Sequence, residues 1–275
     1  MHGIQRRDEP TRDVYVVQDE KGDREFAGFG LPSDKYCDCY LDSSVMPVDD
    51  IKSAAIMVTG TLALAQPKTR ETIEKAVQLA HEGGCKVLVD VNWRPVFWND
   101  HAEAKRIISD YLQKVDLLKV SDADLEWLLD MDLKTALLNP CKVAEAFPRA
   151  QGVLVTAGEE GAAYCFKSNA KGESSGFIPC YNVKVEETTG AGDAFTAGFI
   201  YKLLQAGGLD ALAADATKLK EAVAFGSAAG ALTCTRKGAI DGQPSLDEVM
   251  QLYDSAQKQA NWEQYGNMGV GASSA

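Results

Sequence analysis

Residues Glu187-Thr188-Thr189-Gly190-Ala191-Gly192-Asp193-Ala194-Phe195 are the densest concentration of chemistry-bearing residue types in the chain. A Gly-Ala-Gly run lets successive backbone amides converge into a concave nest, and a helix expected to begin at Asp193 adds the positive end of its dipole. That combination suits an anion whose negative charge grows during a reaction. A carboxylate beside an anion cradle is electrostatically unfavourable unless it takes the proton of a hydroxyl attacking phosphorus. The alternative is a purely local role, with Asp193 as helix N-cap and the glycines serving tight packing. The chain contains no G-x-x-x-x-G-K-S/T loop and no early G-x-G-x-x-G, which disfavours a P-loop nucleotidase and a dinucleotide oxidoreductase.

The elements that must hold this turn follow from hydrophobic period and breakers. Val14–Gln18 and Arg24–Phe29 read as a β-hairpin around the turn formers of residues 19–23. From about residue 50 strands and helices alternate. The pattern gives a strand over 54–58, a helix over 68–82 stopped by Gly83-Gly84, and a strand over 86–91. A helix over 101–112, a strand over 116–120 and a short helix over 122–129 come next. Residues 143–147 close another helix, and strand 152–156 is expected to pair with 162–166 across a turn at 158–161. After Tyr181–Val185 the pattern is helical over 194–205, 218–233 and 246–258. Such alternation implies parallel β–α–β units, with ligands at the carboxyl ends of the strands.

Composition narrows the class further. The 275 residues are 45% hydrophobic and 25% charged, and 28 Lys+Arg against 40 Asp+Glu give a net charge of −12. This is ordinary globular composition, and the acidic excess argues against a nucleic-acid or anionic-membrane surface. No apolar run reaches the roughly 18 residues of a membrane span, and residues 1–7 have no apolar signal core. The expectation is a soluble intracellular protein, cytoplasmic by default or in an organelle if a targeting segment lies upstream. The seven cysteines are mostly scattered and are expected to be largely reduced structural thiols. Trp93, Trp98 and Trp127 read as packing residues, His81 and His101 as solvent-facing, and Asp49-Asp50 as a loop before the next element.

The run Thr188–Phe195 resembles the C-terminal signature of the ribokinase/pfkB family of carbohydrate kinases, and other stretches agree in order and spacing. Asp90-Val91-Asn92-Trp93-Arg94-Pro95-Val96-Phe97-Trp98 is similar to the D-x-N-x-R…W segment of fructokinase-like members. Val155-Thr156-Ala157-Gly158-Glu159-Glu160-Gly161-Ala162 resembles the T-x-G-x-x-G nucleotide loop. Thr235-Arg236-Lys237-Gly238-Ala239 matches the segment on the adenine side, and the leading hairpin resembles part of a sugar-covering lid. The resemblance spans about residues 11–258.

It implies an α/β, ribokinase-like three-layer α/β/α fold with a mostly parallel central sheet and a small β lid. The expected division is a hairpin lid remnant at 11–40, a kinase core with the nucleotide site at 50–260 and a flexible tail at 261–275. The first β–α portion that precedes the lid in the family is expected to be missing, and with it part of the sugar site. The implied activity is ATP-dependent phosphorylation of a sugar hydroxyl, with a nucleoside as alternative acceptor. A non-catalytic form that binds nucleotide or a partner is the rival reading.

Carried onto these positions, Asp193 becomes the catalytic base, and Gly190, Ala191 and Gly192 supply the anion-hole amides. Ser121, Thr156, Gly158, Gly161, Gly192 and Ser227 line the nucleotide. Asn92 and Arg94 join Asp193 on the acceptor, Arg94 having a surface ion pair as its alternative role. Where many relatives carry N-x-x-E, this chain has Ser121-Asp122-Ala123-Asp124. Asp124 is then the candidate metal residue, acting through water, and a helix-capping role for Ser121 stays equally open. The implied cofactors are ATP and Mg²⁺, with a monovalent cation such as K⁺. The implied partners are small molecules and a second copy through the lid, without nucleic acid or membrane.

Overall fold

Short β-branched runs and longer amphipathic stretches alternate along the chain and form the strands and helices that their periods dictate. The structure is a computed structural model and describes residues 3–18, 24–168 and 172–257. The chain divides into two compact units, Met1–Lys114 and Val115–Ala275. The hairpin loop at 19–23 and the expected tail at 261–275 lie outside the described residues.

In the first unit, β1 (Val14–Gln18) and β2 (Arg24–Phe29) pair antiparallel, with an irregularity between Tyr15 and Val16. The short helix α1 (Val48–Ser53) follows, and Asp49 and Asp50 lie in its first turn rather than in a loop, where acidic groups oppose the helix dipole favourably. Strand β3 (Ile56–Gly60) runs parallel to β4 (Lys86–Asp90). The crossover α2 (Pro67–Gly83) buries Thr69, Thr72, Ala76, Val77 and Ala80, the i, i+3, i+4 stripe of a helix lying on a sheet. It ends because Gly84 adopts φ +82°, the left-handed C-cap that glycine takes without penalty. Helix α3 (His101–Leu112) starts where Asp100 accepts the amides of Ala102 and Glu103 and caps it.

In the second unit, β5 (Leu117–Ser121) runs parallel to β6 (Gly152–Thr156), and β7 (Ala162–Ser168) and β8 (Gly172–Ile178) add antiparallel. Between β5 and β6 come α4 (Asp122–Leu129), α5 (Leu133–Leu138) and α6 (Pro140–Glu145). The helix expected to close at 143–147 is therefore two short ones, separated at Asn139 because Pro140 cannot continue the preceding ladder. Strand β8 has no counterpart in the sequence reading; its Gly-Glu-Ser-Ser-Gly start lacks an apolar alternation. The helices α7 (Ala191–Gln205), α8 (Leu209–Ala213), α9 (Ala216–Thr233) and α10 (Leu246–Gln257) complete the unit. No helix among the described residues is long and apolar enough to cross a membrane.

Two further expectations gain detail. Cys141 on α6 and Cys165 on β7 form a disulfide, whereas Cys37, Cys39, Cys85, Cys180 and Cys234 form none, in keeping with largely reduced thiols. The pairing arises because β7 folds back beside α6, a proximity that a separation of 24 residues does not reveal. His101 is exposed as expected but its ring lies edge-on to Trp93, and His81 is half-buried. Trp93 and Trp98 are buried in packing positions, as read from the sequence.

The contact that fixes the start of α7 in the second unit is between α7 and α9. A Cβ on Gly226 would lie 2.7 Å from the Phe195 carbonyl oxygen, and one on Gly230 2.9 Å from that of Ala191. Gly198 faces the Gly226 Cα at 3.1 Å from the opposite side. With no side chain between them the two backbones approach closely, and this holds the first turn of α7 in place. Gly226→Ala is expected to destabilise the fold by about 1–3 kcal/mol through overpacking against backbone that cannot give way. A lowered urea midpoint measures it, and an unchanged midpoint would show that the helices are not in fixed contact.

Candidate active site

The turn at 188–192 is built by glycine geometry. Gly190 adopts φ +85° as N-cap of α7, and the Ala191 amide donates to the Thr188 carbonyl at 3.2 Å. The helix thus begins at Ala191, two residues before the expected start, because the left-handed Gly190 is where the chain leaves extended geometry. Asp193 is the third helical residue and not the N-cap, which removes the capping alternative. Its side chain is exposed and makes no hydrogen bond or ion pair with the described residues. Gly192 and Asp193 occupy positions whose amides have no acceptor within a helix, so the open end of α7 presents donors and positive potential.

The segment after α9 closes against this turn. A Cβ on Gly190 would meet the Ala239 carbonyl oxygen and Gln243 Nε2, each at 3.1 Å. The Gly238 amide donates to Glu187 Oε2 at 3.1 Å, and Arg236 pairs with Glu248 of α10. The Thr235–Ala239 stretch is thereby fastened to both the turn and the last helix.

Strand β5 meets this turn through Lys119, and β6 pairs beside β5. Ser121 and Thr156 are register partners and share one sheet face with Lys119, two residues earlier. Lys119 is only 4% exposed, and its Nζ lies 3.2 Å from where a Cβ on Gly192 would stand. Lys119 belongs to none of the family-like motifs of the chain. Its signal was a lysine inside the apolar run Leu117-Leu118-Lys119-Val120, where a charge is not buried without reason.

Ser121 accepts the Asp124 amide while Asp124 Oδ2 accepts both the amide and the hydroxyl of Ser121 at 2.7 Å, a reciprocal capping box. The capping role of Ser121 is therefore realised. Asp124 is 1% exposed with Oδ2 so engaged, and it offers no open carboxylate edge to a metal. Among the described residues, Cys141, Cys165 and Glu173 form the one cluster with metal-ligating geometry, and its two sulfurs are already bonded to each other.

The loop after β6 is tight. The Ala157 amide donates to the Gly161 carbonyl at 2.9 Å, Gly158 has φ +50°, and Gly161 has φ +106° with the Ile178 carbonyl where a Cβ would be. Burial first, and then the Glu159 charge, pushes the nearby Cys180 thiol up; burial chiefly does the same at Cys234, so both stay protonated at neutral pH. Ser227 on α9 is half-buried and donates back to the Val223 carbonyl at 3.0 Å. A cavity of about 620 Å³ lined by Leu133, Leu137, Pro140 and Phe177 includes Glu160 of the loop but none of the candidate residues.

Asn92 and Arg94 belong to the first unit, just past β4. Asn92 sits at φ +46°, a left-handed conformation uncommon outside glycine and concentrated at functional sites. Arg94 is exposed, donates to the Trp93 carbonyl at 2.8 Å, and makes no ion pair among the described residues, so the surface-pair alternative is not formed.

Comparisons with known proteins place the chain in a family. Residues 2–246 match the model of the pfkB family carbohydrate kinases. Fructokinase-1 of Oryza sativa subsp. japonica is 32% identical over 243 residues, which are 88% of this chain and 71% of that protein. The structure of a fructokinase with bound ATP from Xylella fastidiosa superposes with TM-score 0.76 at 24% identity, covering 89% of this chain and 74% of that one. A Vibrio cholerae O395 fructokinase bound to fructose, ADP and calcium gives 0.71 at 25%, covering 90% and 75%. The chain belongs to the pfkB family and is a carbohydrate kinase with the ribokinase-like α/β fold: a mostly parallel sheet flanked by helices.

Ser121→Ala is expected to lower stability by about 0.5–2 kcal/mol, the usual contribution of an N-cap hydroxyl. Thermal and urea unfolding measure it; a variant as stable as wild type would mean the capping box does not hold α4.

Proposed function

We propose that this kinase transfers the γ-phosphoryl group of ATP to a hydroxyl of a keto-hexose, fructose being the acceptor that the rice relative's name favours. The observation that carries the reading is the open Asp193 carboxylate in the first turn of α7, directly after the left-handed Gly190. Asp193 takes the proton of the attacking hydroxyl as general base. Gly190, Ala191 and Gly192, at the positive end of α7, form the hole that stabilises charge on the transferring phosphoryl oxygens. Lys119, buried beneath Gly192, adds a fixed positive charge to that hole. Phosphoryl transfer requires mainly such positioning and charge stabilisation.

Ser121, Thr156, Gly158, Gly161 and Ser227 line the nucleotide; the two loop glycines allow the backbone to approach it, and Ser121 contributes while capping α4. Asn92 and Arg94 recognise the acceptor, the left-handed backbone of Asn92 aiming its amide. The donor set fits a cation held chiefly by phosphate oxygens, because Asp124 is engaged by Ser121 and contributes only through water. Mg²⁺ in that role neutralises phosphate charge, and K⁺ is the monovalent cation proposed with it. The hairpin exposes Val14, Tyr15 and Val17 at 52–54%, which supports its use as a pairing surface between two copies. We assign the protein to the soluble cytoplasmic fraction, and the rest of the division to a lid at 11–40 and a kinase core at 50–260.

Asp193→Asn is expected to lower fructose-dependent ADP release by about 10²–10⁴-fold while Mg-ATP binding, read by calorimetry, persists. Unchanged turnover would remove Asp193 as the base. Wild-type chain that binds Mg-ATP but turns over no sugar or nucleoside would favour the non-catalytic reading. In sedimentation velocity the wild type is expected as a dimer and Tyr15→Glu as a monomer; a monomeric wild type would sink the pairing proposal.

A further inference from the structure

Arg12 lies two residues before β1 and is absent from the motifs discussed above, yet its side chain is only 9% exposed. Its guanidinium carbon stands 4.8 Å from the ring centre of Phe29, 4.5 Å from that of Tyr36 and 5.0 Å from that of Phe97. Its fork is satisfied by Asp38: Nε donates to Oδ2 at 2.7 Å and Nη2 to Oδ1 at 2.9 Å. Nη2 also reaches the Ser33 carbonyl at 2.9 Å and Nη1 the Ser33 hydroxyl at 3.2 Å. A planar cation that stacks on rings while its edge is read by a carboxylate is a task lysine cannot perform.

The groups gathered here come from three separate stretches. Phe29 ends β2. Tyr36, Asp38 and Ser33 belong to the connection after the hairpin, which is tied to α2 because Thr69 Oγ1 donates to the Asp38 carbonyl at 2.8 Å and Thr72 Oγ1 to that of Leu41, also at 2.8 Å. Phe97 closes the 3₁₀ turn Pro95–Phe97, which directly follows Arg94. The rings of Phe29 and Phe97 touch, 5.3 Å between centres. The cation therefore joins the hairpin to the turn carried by the Asn92–Arg94 segment, on a base anchored to a long helix.

We infer that Arg12 is a positioning residue for acceptor binding: it clamps the hairpin and the Pro95–Phe97 turn together, and so sets the placement of Asn92 and Arg94. The inference rests on the assignment of those two residues to the acceptor. In this role Arg12 acts through Asn92 and Arg94 and not on ATP, so its removal affects one substrate and not the other.

The test compares Arg12→Lys, Arg12→Met and Phe97→Leu with wild type in steady-state kinetics, with fructose and ATP varied separately. Arg12→Lys and Arg12→Met are expected to raise the fructose KM by about ten-fold, from loss of a desolvated stacked and forked cation, with the ATP KM unchanged. Phe97→Leu keeps an apolar filler and is expected to shift the fructose KM in the same direction by less. Hydrogen exchange should quicken at amides 28–31 and 96–98 in the Arg12 variants and stay at wild-type rates in α7 and α9. A fructose KM unaltered in Arg12→Lys, or both KM values moving together, overturns the clamp. Arg94→Ala separates the two failures. If it raises the fructose KM while Arg12→Lys does not, the clamp alone is wrong; if it leaves that KM unchanged, the acceptor assignment falls and the positioning role with it.

Discussion

Backbone-to-backbone contact between α7 and α9 is the constraint on which the second unit of this kinase, and the placement of the Gly190–Asp193 turn in it, depends. Gly198, Gly226 and Gly230 remove the side chains that would separate the helices, and the Phe195 and Ala191 carbonyls fill the space. A helix N-terminus attracts an anion only if its open amides point at a fixed place. Close packing supplies that fixity, because interiors are dense and tolerate little displacement. The left-handed Gly190 then turns the chain so that Asp193 emerges on the solvent side of the same first turn.

Electrostatics in this region are arranged in tiers. Lys119 is buried beneath Gly192, the helix end lies above it, and Asp193 is exposed beyond both. Asp124, by contrast, is spent on structure: its engagement with Ser121 fixes the start of α4 at the end of β5. The carboxylate at the expected metal position thus serves the fold.

The first unit uses a different device. An aromatic cluster around the largely covered Arg12 guanidinium, instead of helix packing, joins its hairpin to the turn at 95–97. Asn92 in a left-handed conformation shows that the chain just past β4 is not relaxed strand continuation. Such conformations persist where surrounding contacts over-determine them, and Thr61, buried and donating to the Val91 carbonyl, is one of those contacts.

Much of the architecture was legible from pattern alone. The hairpin strands, α3, α4 and β6 carry strong local signals: alternation, an Asp or Ser cap, or an uninterrupted apolar run bounded by turn formers. The amide turn and Asp193 were legible because glycine spacing is itself a backbone instruction. What local signals could not convey is equally specific. Strand β8 begins in Gly and Ser and becomes a strand only because β7 offers it an edge. Cys141 and Cys165 pair because α6 is folded against β7. The significance of Lys119 depends on which residue lies above it, and that of Arg12 on three rings brought from distant stretches. Sequence by itself determined element type, the glycine turn before α7 and the family, since these reside in spacing a few residues long. Tertiary structure alone decided where α7 starts, which acid stays free and which cations are buried, because desolvation and ring stacking exist only once remote segments meet.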